Sequence, residues 1–143
     1  MSSKPIVVEQ SFSVQPDAVW RAITEPDLMR QWYFEPIEDF RPEVGFETRF
    51  DTEVNGRTFR HRWKVTEVAP GKSITYTWQF DGFPGLGATE WMLSETDDGT
   101  RLVLISTGIE SFSQDIPEFT RERGQAGWEY FIHERLPDFL KQL

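Results

Sequence analysis

The sequence contains no cysteine and only two histidines. The first absence excludes a disulfide framework, a thiolate metal site and a thiol nucleophile. The histidines, His61 and His133, stand far apart and form nothing like a helical H-E-x-x-H pair, so neither a metal nor another cofactor is expected. Long apolar runs are missing, which argues against a membrane span. The opening Met-Ser-Ser-Lys-Pro lacks the apolar core of a secretory signal. Basic residues are outnumbered, 15 against 24 acidic ones, for a formal net charge of -9. That balance speaks against nucleic acid and anionic membranes, which reward clustered Lys and Arg. There is no G-x-S-x-G nucleophile turn and no glycine loop leading into a helix that would cradle phosphate. A cytoplasmic protein, monomer or homodimer, is the expectation.

Aromatic residues are abundant: 15% of the chain, with six Trp and twelve Phe. Each such ring buries roughly 150–250 Å², so they make either a heavy core or the lining of a hollow. At 143 residues, one domain spanning 1–143 is expected, long enough for a real core.

The stretch Pro117 to Leu143 organises the rest. On a helical wheel centred on Trp128, residues Ile132, Leu136, Phe139 and Leu143 share one face, predicting a single long amphipathic helix. Asp115-Ile116-Pro117-Glu118 provides a start signal, and Pro137 is expected to kink or break the last turns. The stripe changes character along its length. Its C-terminal half is core material, whereas its N-terminal half carries Arg121, Gly124 and Gln125, which suit the wall of a pocket. Arg121 has a second reading, in which it reaches back to solvent.

Upstream, Ile6 to Val14 alternates as a strand, with Gln10 interrupting its apolar face. Two short helices follow, at Asp17–Thr24 and Asp27–Trp32, separated by Glu25-Pro26. From Gly45 to Ile109 the pattern is a meander of about five antiparallel strands. Asn55-Gly56 is its clearest hairpin signal. The inward positions include Phe59, His61, Trp63, Val65, Ile74, Tyr76, Trp78, Phe80, Thr89, Trp91 and Leu93. A glycine-rich link, Asp81–Gly87, reads as a long hairpin or a lid. The predicted class is α+β: one curved antiparallel sheet wrapped around the long C-terminal helix, with two short helices after strand 1.

Three separated segments carry a family resemblance. PDAVWRAITEPDLMRQWY (Pro16–Tyr33), the meander's WKVTEVAPGKSITYTW (Trp63–Trp78) with DGTRLVLISTGI (Asp98–Ile109), and GQAGWEYFIHERLPDFL (Gly124–Leu140) occur in the right order. Together they resemble the START-like, or SRPBCC, helix-grip superfamily that includes birch-pollen-allergen-like proteins. Within it they are most similar to the branch named for the activator of the heat-shock-protein-90 ATPase. The resemblance implies the helix-grip fold and a cavity between sheet and helix. It also implies a possible chaperone contact in the stress response. The superfamily spans lipid carriers, hormone receptors and polyketide cyclases, so fold alone does not fix function. Two departures matter: this length leaves no room for the additional N-terminal domain of eukaryotic chaperone activators, and Ser106 stands where members often place a histidine.

The residues that face the expected cavity are His61, Trp63, Tyr76, Trp78, Trp91, Arg121, Gln125 and Trp128. The tryptophans suit the apolar body of a ligand, and His61, Arg121 and Gln125 its polar end. His61 is either a satisfied core group, a ligand contact, or a general acid/base. No inward carboxylate stands ready to activate it, and no catalytic residue is assigned. A dry void of about 300 Å³ would cost roughly 7 kcal/mol at about 24 cal/mol per Å³, against whole-domain stabilities of about 5–15 kcal/mol. An empty greasy hole is therefore hard to keep, and a partly polar one is easier. The leading expectation is non-catalytic binding of a small hydrophobic or amphipathic molecule. A chaperone accessory or protein-interaction module is the alternative, and a cyclase- or hydrolase-like enzyme the third.

Overall fold

The computed structural model describes residues 4–142; the opening Met-Ser-Ser and Leu143, which the helical wheel placed on the apolar stripe, lie outside the described residues. The order is β1 (Ile6–Phe12), α1 (Pro16–Thr24), α2 (Pro26–Trp32), then β2 (Glu47–Val54), β3 (Arg57–Ala69), β4 (Ser73–Phe80), β5 (Gly87–Thr96) and β6 (Gly99–Thr107). After two 3-10 turns, Ile109–Ser111 and Pro117–Phe119, the chain ends in α3 (Arg121–Glu129), a π-helical segment (Tyr130–Arg135) and α4 (Leu136–Leu140). The strands form one antiparallel sheet in the order β1-β6-β5-β4-β3-β2. The α+β helix-grip fold is as the sequence predicts.

Period-two alternation puts one face of each strand inward. Along β3, Phe59, His61, Trp63 and Val65 are buried while Arg60, Arg62 and Lys64 are exposed. The Asn55-Gly56 turn joins β2 to β3 with both residues at positive φ, 52° and 80°, as a two-residue hairpin of this hand requires. A register shift between Val65 and Glu67 inserts a bulge into β3, which bends the strand and helps the sheet curl. The two short helices begin on prolines, Pro16 and Pro26, where the missing amide has no helical partner to lose. They are tied together by the buried Trp32 indole, whose Nε1–H donates to the Ala22 carbonyl at 2.8 Å.

The terminal helix departs from the single uniform element expected. Asp115 does not cap it: Pro117 opens a short 3-10 turn, and α3 starts after Thr120, whose hydroxyl accepts from the Arg123 amide at 3.4 Å. The break attributed to Pro137 appears upstream. The Leu136 amide reaches the Phe131 carbonyl, five residues back. The wider π turn brings Pro137 into the first turn of α4, where no amide is needed. His133 is exposed and donates from Nδ1 to Gln10 Oε1 at 2.8 Å. The amide that interrupts the apolar face of β1 is thereby partnered.

The C-terminal half of this assembly is solid. Ile132, Leu136, Phe139 and Leu140 are all buried, packed against β1, α1 and α2 in one continuous core. Leu136 is 0% exposed, so Leu136→Ala is expected to cost about 2–5 kcal/mol, measured as a lowered urea midpoint at unchanged slope.

Candidate functional site

The N-terminal half is different. Between α3 and the inner face of β4–β6 lies a hollow of about 210 Å³. Its walls are aromatic: Trp78 from β4, Phe34 from the stretch after α2, and Trp128 and Phe131 from the helix. Trp78 and Trp128 meet edge to face at 5.7 Å and 88°, and Phe34 meets Phe131 at 5.2 Å. Thr89 of β5 and Ser106 of β6 are cross-strand partners on the sheet side. At the rim stand the exposed Arg123 and the largely covered Glu118, the latter held by Arg57 at 3.1 Å and Asn55 at 3.5 Å.

Two glycines make the space. Gly124 and Gly127 line the hollow from within α3, and neither has a positive φ. A Cβ at Gly127 would meet nothing within 4 Å; one at Gly124 would touch only Ile6 Cδ1 at 3.4 Å and Ile109 Cδ1 at 3.9 Å. Neither tight packing nor backbone conformation demands glycine at 127, yet glycine inside a helix costs about 1 kcal/mol relative to alanine.

A satellite cluster closes one end. Phe59, Phe112 and Phe119 are buried together, with Phe80 and Phe83 packed against them. Phe80 and Phe119 stack at 4.7 Å. The glycine-rich link is an ordinary connection between β4 and β5, pinned where the Leu86 amide donates to Ser111 Oγ at 2.9 Å.

Behind the aromatic walls lies a hydrogen-bonded layer. The Trp78 indole donates to His61 Nδ1 at 3.0 Å, which leaves the ring proton on Nε2, facing Thr52 Oγ1 at 2.9 Å. His61 is also stacked on Phe50 at 4.6 Å and 7°. Burial lowers its pKa from 6.5 to about 3, with Asp51 opposing only in part. His61 is therefore neutral with both nitrogens engaged, and its job is to hold Trp78. A second set joins Trp91 Nε1 to Tyr76 Oη at 3.0 Å and Tyr76 Oη to Tyr33 Oη at 3.1 Å. Burial pushes both phenols well above their ordinary range.

Of the eight residues the sequence singles out, Trp78 and Trp128 line the hollow. His61, Trp63, Tyr76 and Trp91 form the buried layer that supports it. Trp63 Nε1 is the one buried side-chain polar atom without a hydrogen-bond partner among the described residues; its ring lies edge to face with Phe50 at 4.9 Å. Arg121 points away, donating to the Lys4 and Pro5 carbonyls at 2.5 and 3.1 Å, and Gln125 donates to Glu129 at 3.3 Å. The sequence reading missed Phe34, Ser106, Arg123 and Gly127 as lining residues. Gly127 was accessible to it, lying three residues beyond Gly124 on one helix face. Phe34 follows a helix in irregular chain, where no periodicity fixes direction. A larger hollow of about 420 Å³ by Arg49, Asp51 and Arg60 is a shallow surface feature crossed by the Arg60–Asp51 ion pair. Among the described residues no cluster of His, Asp or Glu suits a metal ion, and no helix is long and apolar enough to cross a membrane.

Comparison with known proteins agrees with this fold. The family model described as "Activator of Hsp90 ATPase homolog 1-like protein" matches residues 13–141. Protein MLL2253 from Mesorhizobium loti is 31% identical, with 97% of this chain and 98% of that one covered and a TM-score of 0.73. Protein CV1439 from Chromobacterium violaceum is 22% identical over 98% and 99% of the two chains, with a TM-score of 0.81. Protein BH1534 from Bacillus halodurans is 21% identical over 95% and 96%, with a TM-score of 0.71. No curated protein is similar to the chain at a significant level.

Two outcomes follow from the site. Gly127→Ala is expected to raise stability by about 1 kcal/mol, seen as a higher Tm, because the added methyl meets open space. His61 binds its proton less readily when folded, so between pH 6.5 and 3 the unfolded chain holds the extra proton. Stability contributed by the neutral ring is full above pH 6.5 and declines as pH falls, by up to about 1.4 kcal/mol per unit. Urea titrations between pH 7 and 5, above the main carboxylate range, should show this slope in the wild type and lose it in His61→Asn.

Proposed function

The chain belongs to the Activator of Hsp90 ATPase homolog 1-like family, and from that membership together with the hollow beside α3 we propose that it binds a small hydrophobic or amphipathic molecule without transforming it. The observation that supports this reading most directly is the glycine pair. The hollow of about 210 Å³ is open on one side, so keeping its aromatic lining unfilled leaves apolar surface in contact with water. Gly124 and Gly127 add the helix penalty of two glycines. A domain whose stability is about 5–15 kcal/mol carries such costs when the space is used. The site holds its occupant by aromatic surface, with polar groups at the sheet side and the rim, the usual composition of a small-molecule site.

The second reading, a chaperone accessory, rests on the family description and on apolar residues exposed on the outer face of the sheet. Val7 and Met92 are exposed there, opposite Ile105 and Val103 of β6. Retention of heat-shock protein 90 on immobilised wild-type chain, lost in Val7→Lys/Met92→Lys, would favour it. A rise in chaperone ATPase would strengthen that case.

The binding reading is tested with Gly127→Leu, which should fill the hollow without disturbing the sheet. A thermal-shift screen across lipids, fatty acids and multi-ring compounds is expected to give ligands that stabilise the wild type and leave the variant's Tm unchanged. Absence of any shift in the wild type, or equal shifts in both proteins, would overturn it.

A further inference from the structure

The aromatic walls account for an apolar ligand body, but they leave two side chains of the hollow unexplained. Thr89 and Ser106 are 1% and 4% exposed and neither hydroxyl joins a hydrogen bond among the described residues, yet neither is sealed off in the way Trp63 Nε1 is. Both line the hollow, and they are direct cross-strand neighbours. Side chains on one face of such a pair stand about 5 Å apart, close enough for one small atom between them to meet both. A hydroxyl that faces a largely apolar space is costly unless water or a ligand meets it, and valine or alanine would fit a merely structural role on this face.

We infer that Thr89 and Ser106 are a hydrogen-bonding floor that receives an oxygen of the bound molecule, so that the ligand enters oxygen-first with its apolar body against Trp78, Trp128 and Phe131. This rests on the pocket reading above and narrows it to a chemical class. The oxygen is neutral, a ketone or a hydroxyl. Of the charged residues that line the hollow, Arg123 is exposed at the rim and Glu118 is engaged by Arg57. An ionised group at the floor would therefore be desolvated without a counter-charge. Size sets a further limit. A cavity of about 150 Å³ holds benzene, and this one measures about 210 Å³, so the enclosed part of the ligand is one or two rings. In the free protein a water can bridge the two hydroxyls, and the ligand oxygen replaces it without loss of hydrogen bonds.

The test uses three matched probes, naphthalene, 2-naphthol and ionised 2-naphthoate. Binding is followed by the shifts of the tryptophan indole N–H resonances in the full chain. The wild type is expected to prefer 2-naphthol over naphthalene by about tenfold, and naphthoate no more than naphthalene. Thr89→Val and Ser106→Ala should each cut naphthol affinity about threefold and the double variant should abolish the preference. Naphthalene affinity and Tm should stay the same or rise, because the hydroxyls removed bond no other group of the protein. If the wild type binds naphthalene and naphthol equally, or the double variant keeps the preference, the inference falls while the pocket reading stands. Tighter binding of naphthoate would also overturn it. Binding of none of the three, with no hits in the thermal-shift screen, overturns both.

Discussion

The structure depends on one constraint: a curved antiparallel sheet has a single concave face, and one helix must cover it. Six strands that alternate inward and outward present a continuous apolar surface, which is stable only when something apolar lies on it. The terminal helix does this unevenly. From Ile132 onward it offers large aliphatic and aromatic side chains and the core is filled. From Arg121 to Gly127 it offers two glycines, and the sheet curls over a space the helix does not occupy. The full half holds the fold together so that the thin half can stay hollow.

A hollow bounded by soft walls would collapse, because packed interiors close voids wherever side chains can move. Here the walls are fastened from behind. Trp78 is held by His61, and His61 in turn by Thr52 and the Phe50 ring. Tyr33, Tyr76 and Trp91 are joined through their polar edges. Trp78 and the bonded rings behind it therefore have both a packing surface and a directional bond, which fixes their angles as well as their positions. Within the π-helical segment Phe131 lines the hollow and His133 bonds Gln10 of β1.

The fold was legible because period-two alternation, proline-led short helices and an Asn-Gly turn are local signals with one reading each. Phe59 through Val65, or Ile74 through Phe80, allow only one face to be inward. The site was half legible for a related reason. Parity says that Trp63, Tyr76 and Trp91 face inward, as they do, but it cannot say whether an inward residue touches a cavity or packs beneath it. That depends on what the helix places opposite, and on where chain such as Phe34 returns. Arg121 and Gln125 were misplaced by an ideal wheel. α3 begins only at Arg121, at the helix end, where the guanidinium finds the Lys4 and Pro5 carbonyls instead of the interior. The π turn itself was not legible, since the sequence carries no period that announces an added residue in a turn.

Titration state separates a receptor from a catalyst in a fold that hosts both. A general base needs a free lone pair near neutral pH within reach of its substrate. Around this hollow the titratable groups are differently arranged. His61 is kept neutral by burial, with its lone pair given to Trp78. The Tyr33 and Tyr76 phenols are held protonated by the same burial and bonded to each other. Glu118 is engaged by Arg57 and Asn55. What remains facing the space is apolar surface, two neutral hydroxyls and a guanidinium at the rim. Groups of that kind suit recognition by shape and hydrogen bonding, which is what the proposed binding requires.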